Sequence, residues 1–325
     1  MSGLASLFSM SRRTGLLLTF GALSLMACSA DEPQESAAGA PGSETPASGN
    51  FQERIYERHF VFTTLTGDSA FIVPWLITAR TSPEGVDRTA RAWLARGEDW
   101  EGFYDQSWHT PPTRVPGRLL PNGSFRLLVG PEDAVVSLLY QEDPRELELS
   151  LAGVLMEWVD QRGESYRLMD ASVYLADQQV DGLALDMARV RDSDEAPGGD
   201  WVFLVSGDSL QMVLESPTRA EPGEEGAYRG WARLDFRDLR FPSVTVDWGE
   251  VRAFQPARQD VPVAWTVTST EGDMEGVLEV RTAQIQAGEG EGPLLPVDAL
   301  FAVTGTLSIE GGDYPVRGLL RHTRD

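Results

Sequence analysis

The stretch Trp100-Glu101-Gly102-Phe103-Tyr104-Asp105-Gln106-Ser107-Trp108-His109 places carboxylates, an imidazole, a phenol and several aromatic faces close together in the chain. A carboxyl held against an apolar wall is costly to ionise, so its pKa rises, and it can then protonate an alkene or an ether. On this reading Asp105, His109 and Tyr104 handle protons, while Trp100, Phe103 and Trp108 form the wall. A plainer alternative puts the rings in a hydrophobic core and has Asp105 and His109 cap a turn before Pro111-Pro112. Trp93, Trp231, Trp248 and Trp265 extend the set of candidate pocket walls, since large aromatics suit both cores and apolar ligands.

Other chemistry is sparse. The three His residues, His59, His109 and His322, are far apart in the chain, so no metal site and no cofactor are expected. Gly288 to Gly292 is Gly-rich, but Glu289 and Glu291 would repel a phosphate and no Lys follows. There is no Gly-x-Ser-x-Gly elbow. Asn122-Gly123-Ser124 reads as a hairpin turn. Asp247 and Glu250 on one strand would point to opposite faces and cannot act as a pair. His322 on the last strand is placed to face His59 on the first strand of the body, in a packing role.

The chain has 325 residues, enough for two domains. Its 50 carboxylates face 27 basic residues, all of them Arg, for a net charge of −23. That charge repels phosphate backbones and excludes nucleic acid as a partner. The absence of Lys removes Schiff-base chemistry. At the start, Arg12 and Arg13 precede an apolar run from Gly15 to Ala27 that ends Leu25-Met26-Ala27-Cys28. The run is too short to span a bilayer and has the layout of a secretion signal.

Leu-x-Ala-Cys resembles a bacterial lipobox, in which Cys28 is lipidated and becomes the mature N-terminus. Ser29 where Asp would signal inner-membrane retention points to an outer-membrane anchor. Residues 12–16 also match a twin-arginine signal loosely. Loss of the leader (1–27) removes two Arg and no carboxylate, leaving 25 basic against 50 acidic residues, a charge of −25. Residues 28–50 contain no aromatic residue and read as a flexible tether with a reach on the order of 25 Å.

The body repeats itself. "VFTTLTGDS" (61–69) returns as "VFLVSGDS" (202–209), Trp93 has a counterpart in Trp231, Trp108 in Trp248, and "VDG" (180–182) in "VRG" (316–318). The separations stay between 136 (Gly182 to Gly318) and 141 (Val61 to Val202), as a duplication with small indels requires. Two similar units, 51–192 and 200–325, joined by a linker at 193–199, are therefore expected. Period-two runs such as "RELELSL" (145–151), punctuated by turn residues, make both units antiparallel β, as barrels or sandwiches. "GVDRTARAWLARGEDW" (85–100) fits helix or strand, and the repeat argues for strand.

"GDWVFLVSGDSLQMVLES" (199–216), "DVPVAWTVTS" (260–269) with Pro262 and Trp265, and "GTLSIEGGDYPVRGLLRHTRD" (305–325) resemble the tandem lipocalin-like family of carotenoid 1,2-hydratases (hydroxyneurosporene synthase-like). The family pattern has a Trp-rich first strand, then Pro-x-x-Trp, then Gly-x-Gly-Tyr-x-Glu in the last strand. Here Gly318-Leu319-Leu320-Arg321-His322 replaces the last of these. The resemblance implies an all-β fold of two tandem lipocalin-like units and, on the activity side, a hydratase acting on an isoprenoid. Residues and resemblance together lead to a lipid-anchored envelope protein that binds or carries a lipophilic small molecule. An acid-catalysed hydratase and a non-catalytic envelope scaffold are the alternatives.

Overall fold

Alternating apolar and polar residues become strand after strand in the computed structural model, which describes residues 52–64, 71–130, 134–142, 145–159, 164–175, 178–192, 199–216 and 227–324. The leader, Cys28, the tether and residues 193–198 of the linker lie outside the described residues. No helix occurs among those described.

The first sheet holds β1 (Arg54–Thr64), β2 (Phe71–Ser82), β3 (Gly85–Arg96), β4 (Asp99–Thr110), β5 (Phe125–Val129), β6 (Val135–Glu142), β7 (Arg145–Val159), β8 (Ser165–Leu175) and β9 (Gln178–Asp192). Its nine strands run β4-β3-β2-β1-β9-β8-β7-β6-β5, all antiparallel neighbours. The second is built from β10 (Trp201–Ser206), β11 (Leu210–Glu215), β12 (Ala227–Leu234), β13 (Arg237–Phe254), β14 (Gln259–Ser269), β15 (Met274–Ala287), β16 (Val297–Ile309) and β17 (Gly312–Arg324). These eight close into a barrel, β17 pairing with β10. This is the tandem lipocalin-like architecture expected from the sequence, and residues 85–96 are strand.

Phe60–Phe62 of β1 and most of β10 are apolar without alternation, and the reason is burial on both faces. In β1, Phe60 and Phe62 fill the interior of the first sheet, while Val61 turns outward into a second apolar layer. In β10, Val202 and Leu204 point into the barrel, and Trp201, Phe203 and Val205 join that same outer layer. The layer lies between the two sheets. Trp158 of β7 stacks on Trp231 of β12 with centroids 4.9 Å apart, and on Tyr166 of β8 at 5.1 Å.

The repeated "V-x-G" has a mechanical meaning. Gly182 pairs with Thr64, and Gly318 pairs with Leu204. A Cβ at Gly182 would sit 2.3 Å from the Thr63 carbonyl oxygen, and one at Gly318 would sit 1.8 Å from that of Phe203. In both sheets the last strand presses on the first where no side chain fits.

The first sheet has two edges, β4 and β5, and they meet through side chains. The Tyr104 hydroxyl donates to the Asn122 carbonyl at 2.8 Å. Trp75, Phe103, Tyr104, Phe125 and Tyr140 interlock around it, with Trp75–Phe125 at 5.0 Å and Phe103–Tyr140 at 5.1 Å. The second sheet is closed by a ladder, the first by rings.

Candidate functional site

The proposed proton-handling residues sit on one strand but on two faces. A bulge on β4, between the pairs Ala92–Tyr104 and Trp93–Gly102, leaves Phe103 unpaired. Beyond it, Tyr104 and Trp108 face the interior of the first sheet, whereas Asp105 and His109 are exposed. His109 Nδ1 lies 2.9 Å from Asp87 Oδ1 across the β3–β4 pair, so these residues are strand members and do not cap the turn before Pro111. Tyr104 is already committed as a donor to Asn122, and burial raises its pKa despite that hydrogen bond.

The aromatic candidates divide among four environments. Trp265 is buried in the barrel interior beside Phe301, with centroids 5.3 Å apart. Trp248 is 41% exposed, edge-on to His322 and under the Arg324 guanidinium. Phe103 and Trp108 pack on the interior of the first sheet, and Trp93, Trp100 and Trp231 belong to the layer between the sheets.

One place does bring several candidates together. Trp93, Gly102, Phe103, Tyr104 and Asp105 form one wall of a solvent-open cleft of about 450 Å³, and Gln284 and Gln286 of β15 form the other. β15 is held there by the Thr282 hydroxyl, which donates to the Glu98 carbonyl in the β3–β4 turn at 2.8 Å. Gly102 leaves the floor open, since a Cβ there would only reach van der Waals contact with the Trp93 ring at 3.5 Å. The cleft thus sets aromatic side chains, Phe103 half-buried and Trp93 and Tyr104 buried, opposite two Gln side chains, with Asp105 also in its lining.

Behind the cleft runs a charged network that crosses between the sheets. Arg91 donates to Gln286 Oε1 at 2.7 Å and to Asp298 Oδ2 at 2.6 Å. Arg321 donates to Asp298 Oδ1 at 3.3 Å and touches His59 Nε2 at 3.4 Å. Burial alone would raise the Asp298 carboxyl, but Arg321 and Arg91 outweigh it and hold it below its ordinary value. Burial, then Arg321, Arg189 and Arg91, push the His59 imidazole well below its usual range, so it is neutral. His322 does not face His59 as the strand order suggests. Strand alternation sends Arg321 to His59 and turns His322 the other way, onto Asp200 at 2.6 Å.

Gln284, Gln286, Arg91, Asp298 and Arg321 were not singled out by motif. The available signal is the pair Gln284 and Gln286, spaced by two near the end of one strand and so on one face.

No family model matches the chain, and no curated protein matches it. Solved structures do. Kievitone hydratase from Nectria haematococca superposes with a TM-score of 0.50 at 13% identity, over 83% of this chain and 88% of that one. A putative AttH from Nitrosomonas europaea superposes with a TM-score of 0.53 at 13% identity, over 89% and 98% respectively. At that identity the likeness is one of fold: a tandem lipocalin-like fold shared along nearly the whole of both chains.

Proposed function

We propose that this is a lipid-anchored envelope protein that binds a lipophilic small molecule in the cleft between β4 and β15. The observation that carries the reading is the cleft itself, where the half-buried Phe103, beside the buried Trp93 and Tyr104, lies opposite Gln284 and Gln286. Protein extracted from its own membrane should retain an apolar ligand in native mass spectrometry. Gly102→Leu fills the cleft floor without a backbone clash and should reduce retention at least tenfold; full retention by this variant removes the cleft as the site. The anchor is tested separately, because Cys28→Ser should move the protein into the soluble envelope fraction.

A hydratase reading has one observation in its favour: the Asp105 carboxylate lines the same cleft. One fold neighbour is kievitone hydratase. Asp105→Asn separates the two readings. A binder should keep its affinity within about tenfold, or about 1.4 kcal/mol, whereas acid catalysis should lose about 10²–10⁴ in turnover of an isoprenoid.

A further inference from the structure

We propose that the cleft between β4 and β15 takes its ligand by a neutral acceptor oxygen, a carbonyl or an ether, and that Gln286 is the donor that selects it. This rests on the cleft reading above and adds the chemistry of the ligand's polar end.

A free glutamine amide is ambivalent: its oxygen accepts, its nitrogen donates, and a half-turn about the last side-chain bond exchanges them. Gln286 is not free. Arg91 Nη1 lies 2.7 Å from its Oε1. A guanidinium has only donors, so the atom it meets is the oxygen, and the opposite orientation would set two donors head to head. The lock is itself held. Arg91 Nη2 donates to Asp298 Oδ2 at 2.6 Å, and Arg321 donates to the other Asp298 oxygen at 3.3 Å. The Arg91 guanidinium also lies 5.4 Å from the centre of the Trp93 ring. With its oxygen occupied, Gln286 has its NH2 group left for the cleft it lines. That nitrogen makes no hydrogen bond among the described residues and is not sealed from solvent.

The other polar groups of the lining narrow the choice. Gln284, two residues earlier on the same face, makes no hydrogen bond among the described residues. Its amide can turn to suit either kind of partner and so selects neither. The Asp105 carboxylate repels an anion. Arg91, opposite it in the β3–β4 ladder, is already paired with Asp298 and does not offset that repulsion. A carboxylate or phosphate head is thereby disfavoured, although either could accept from Gln286. A neutral oxygen meets the donor without that penalty.

The test is titration of the full-length protein with geranylacetone, a lipophilic ketone, and with the secondary alcohol of the same skeleton. Gln286→Glu keeps the shape and the Arg91 contact but puts an oxygen where the NH2 group stands. A ketone then meets lone pairs, whereas the alcohol can donate to them. The ketone should weaken about tenfold, while the alcohol stays within about twofold. Gly102→Leu, which fills the cleft, should weaken both. Ketone binding unchanged in Gly102→Leu, or absent from the unaltered protein, removes the cleft and this inference with it. Weaker binding of both probes in Gly102→Leu, with equal changes of ketone and alcohol in Gln286→Glu, leaves the cleft standing and overturns the inference alone. If Gln286→Glu does not fold, the infrared carbonyl stretch of geranylacetone bound to the unaltered protein decides. A hydrogen bond lowers it below its value in hexane, and a hexane-like band overturns the proposal.

Discussion

His59 shows how much a single side chain can report. It is 1% exposed, touches Arg321, stacks at a tilt on Trp201, and feels Arg189 and Arg91. Its folded pKa lies well below its ordinary value of 6.5. Above that pH both the folded and unfolded states are neutral at this site and stability is at its full value. Below it the unfolded chain takes up a proton that the folded protein refuses, so stability falls by about 1.4 kcal/mol per pH unit until the folded pKa is reached. Urea midpoints measured at pH 7.5 and 5.5 should therefore drop on acidification, and the drop should be smaller in His59→Gln. The same slope in both proteins would show that His59 is not the sensor. Asp298 has a later onset. Its folded pKa lies below 3.8, so its contribution is complete above that value and fades as pH falls through the lower folded value.

The closing strands carry the next prediction. Gly318→Ala puts a methyl group within 1.8 Å of a backbone oxygen that β10 cannot withdraw without opening the barrel ladder. The loss should be about 3 kcal/mol or more by chemical denaturation. Gly182→Ala meets the Thr63 oxygen at 2.3 Å and the Phe62 ring at 2.7 Å. It should cost less, because no ladder joins the two edges of the first sheet, which can therefore shift locally. Equal and small effects would mean that the close approach is relieved by other means. These glycines were legible from the repeat of "VDG" and "VRG", as were the strands, because alternation in "RELELSL" depends only on neighbours in the chain. The seam was not legible. Whether Tyr104 meets Asn122 or Phe103 meets Tyr140 depends on how far nine strands curl, and no local pattern encodes that. The cleft was half legible: Trp93, Phe103, Tyr104 and Asp105 stood out as a cluster, but Gln284 and Gln286 acquire meaning only once β15 lies opposite β4.

At the scale of the whole body, the two sheets are joined by an apolar layer with ions inside it. Arg189 of β9 donates to the carbonyls of Gly199 and Ser216 and pairs with Glu215 of β11 at 3.4 Å. Burial would lower its pKa, but Tyr166, Glu215, Glu57 and Glu164 reverse that and keep it charged. Arg189→Met leaves Glu215 buried without its cation and should cost about 3–5 kcal/mol, whereas Arg189→Met with Glu215→Leu should recover much of the loss. Scanning calorimetry checks both, and a double variant no better than the single one would remove the pair as the cause. The difference in how the sheets close has a longer reach. A barrel closed by hydrogen bonds has its girth set by strand number and register, so altering its bore means re-registering the backbone. A sheet closed by Phe103, Tyr104, Phe125 and Tyr140 has its girth set by side-chain size. Point substitutions can widen or narrow it while every ladder stays in place, which makes the first half the part of this molecule that evolution, or an engineer, can retailor one residue at a time.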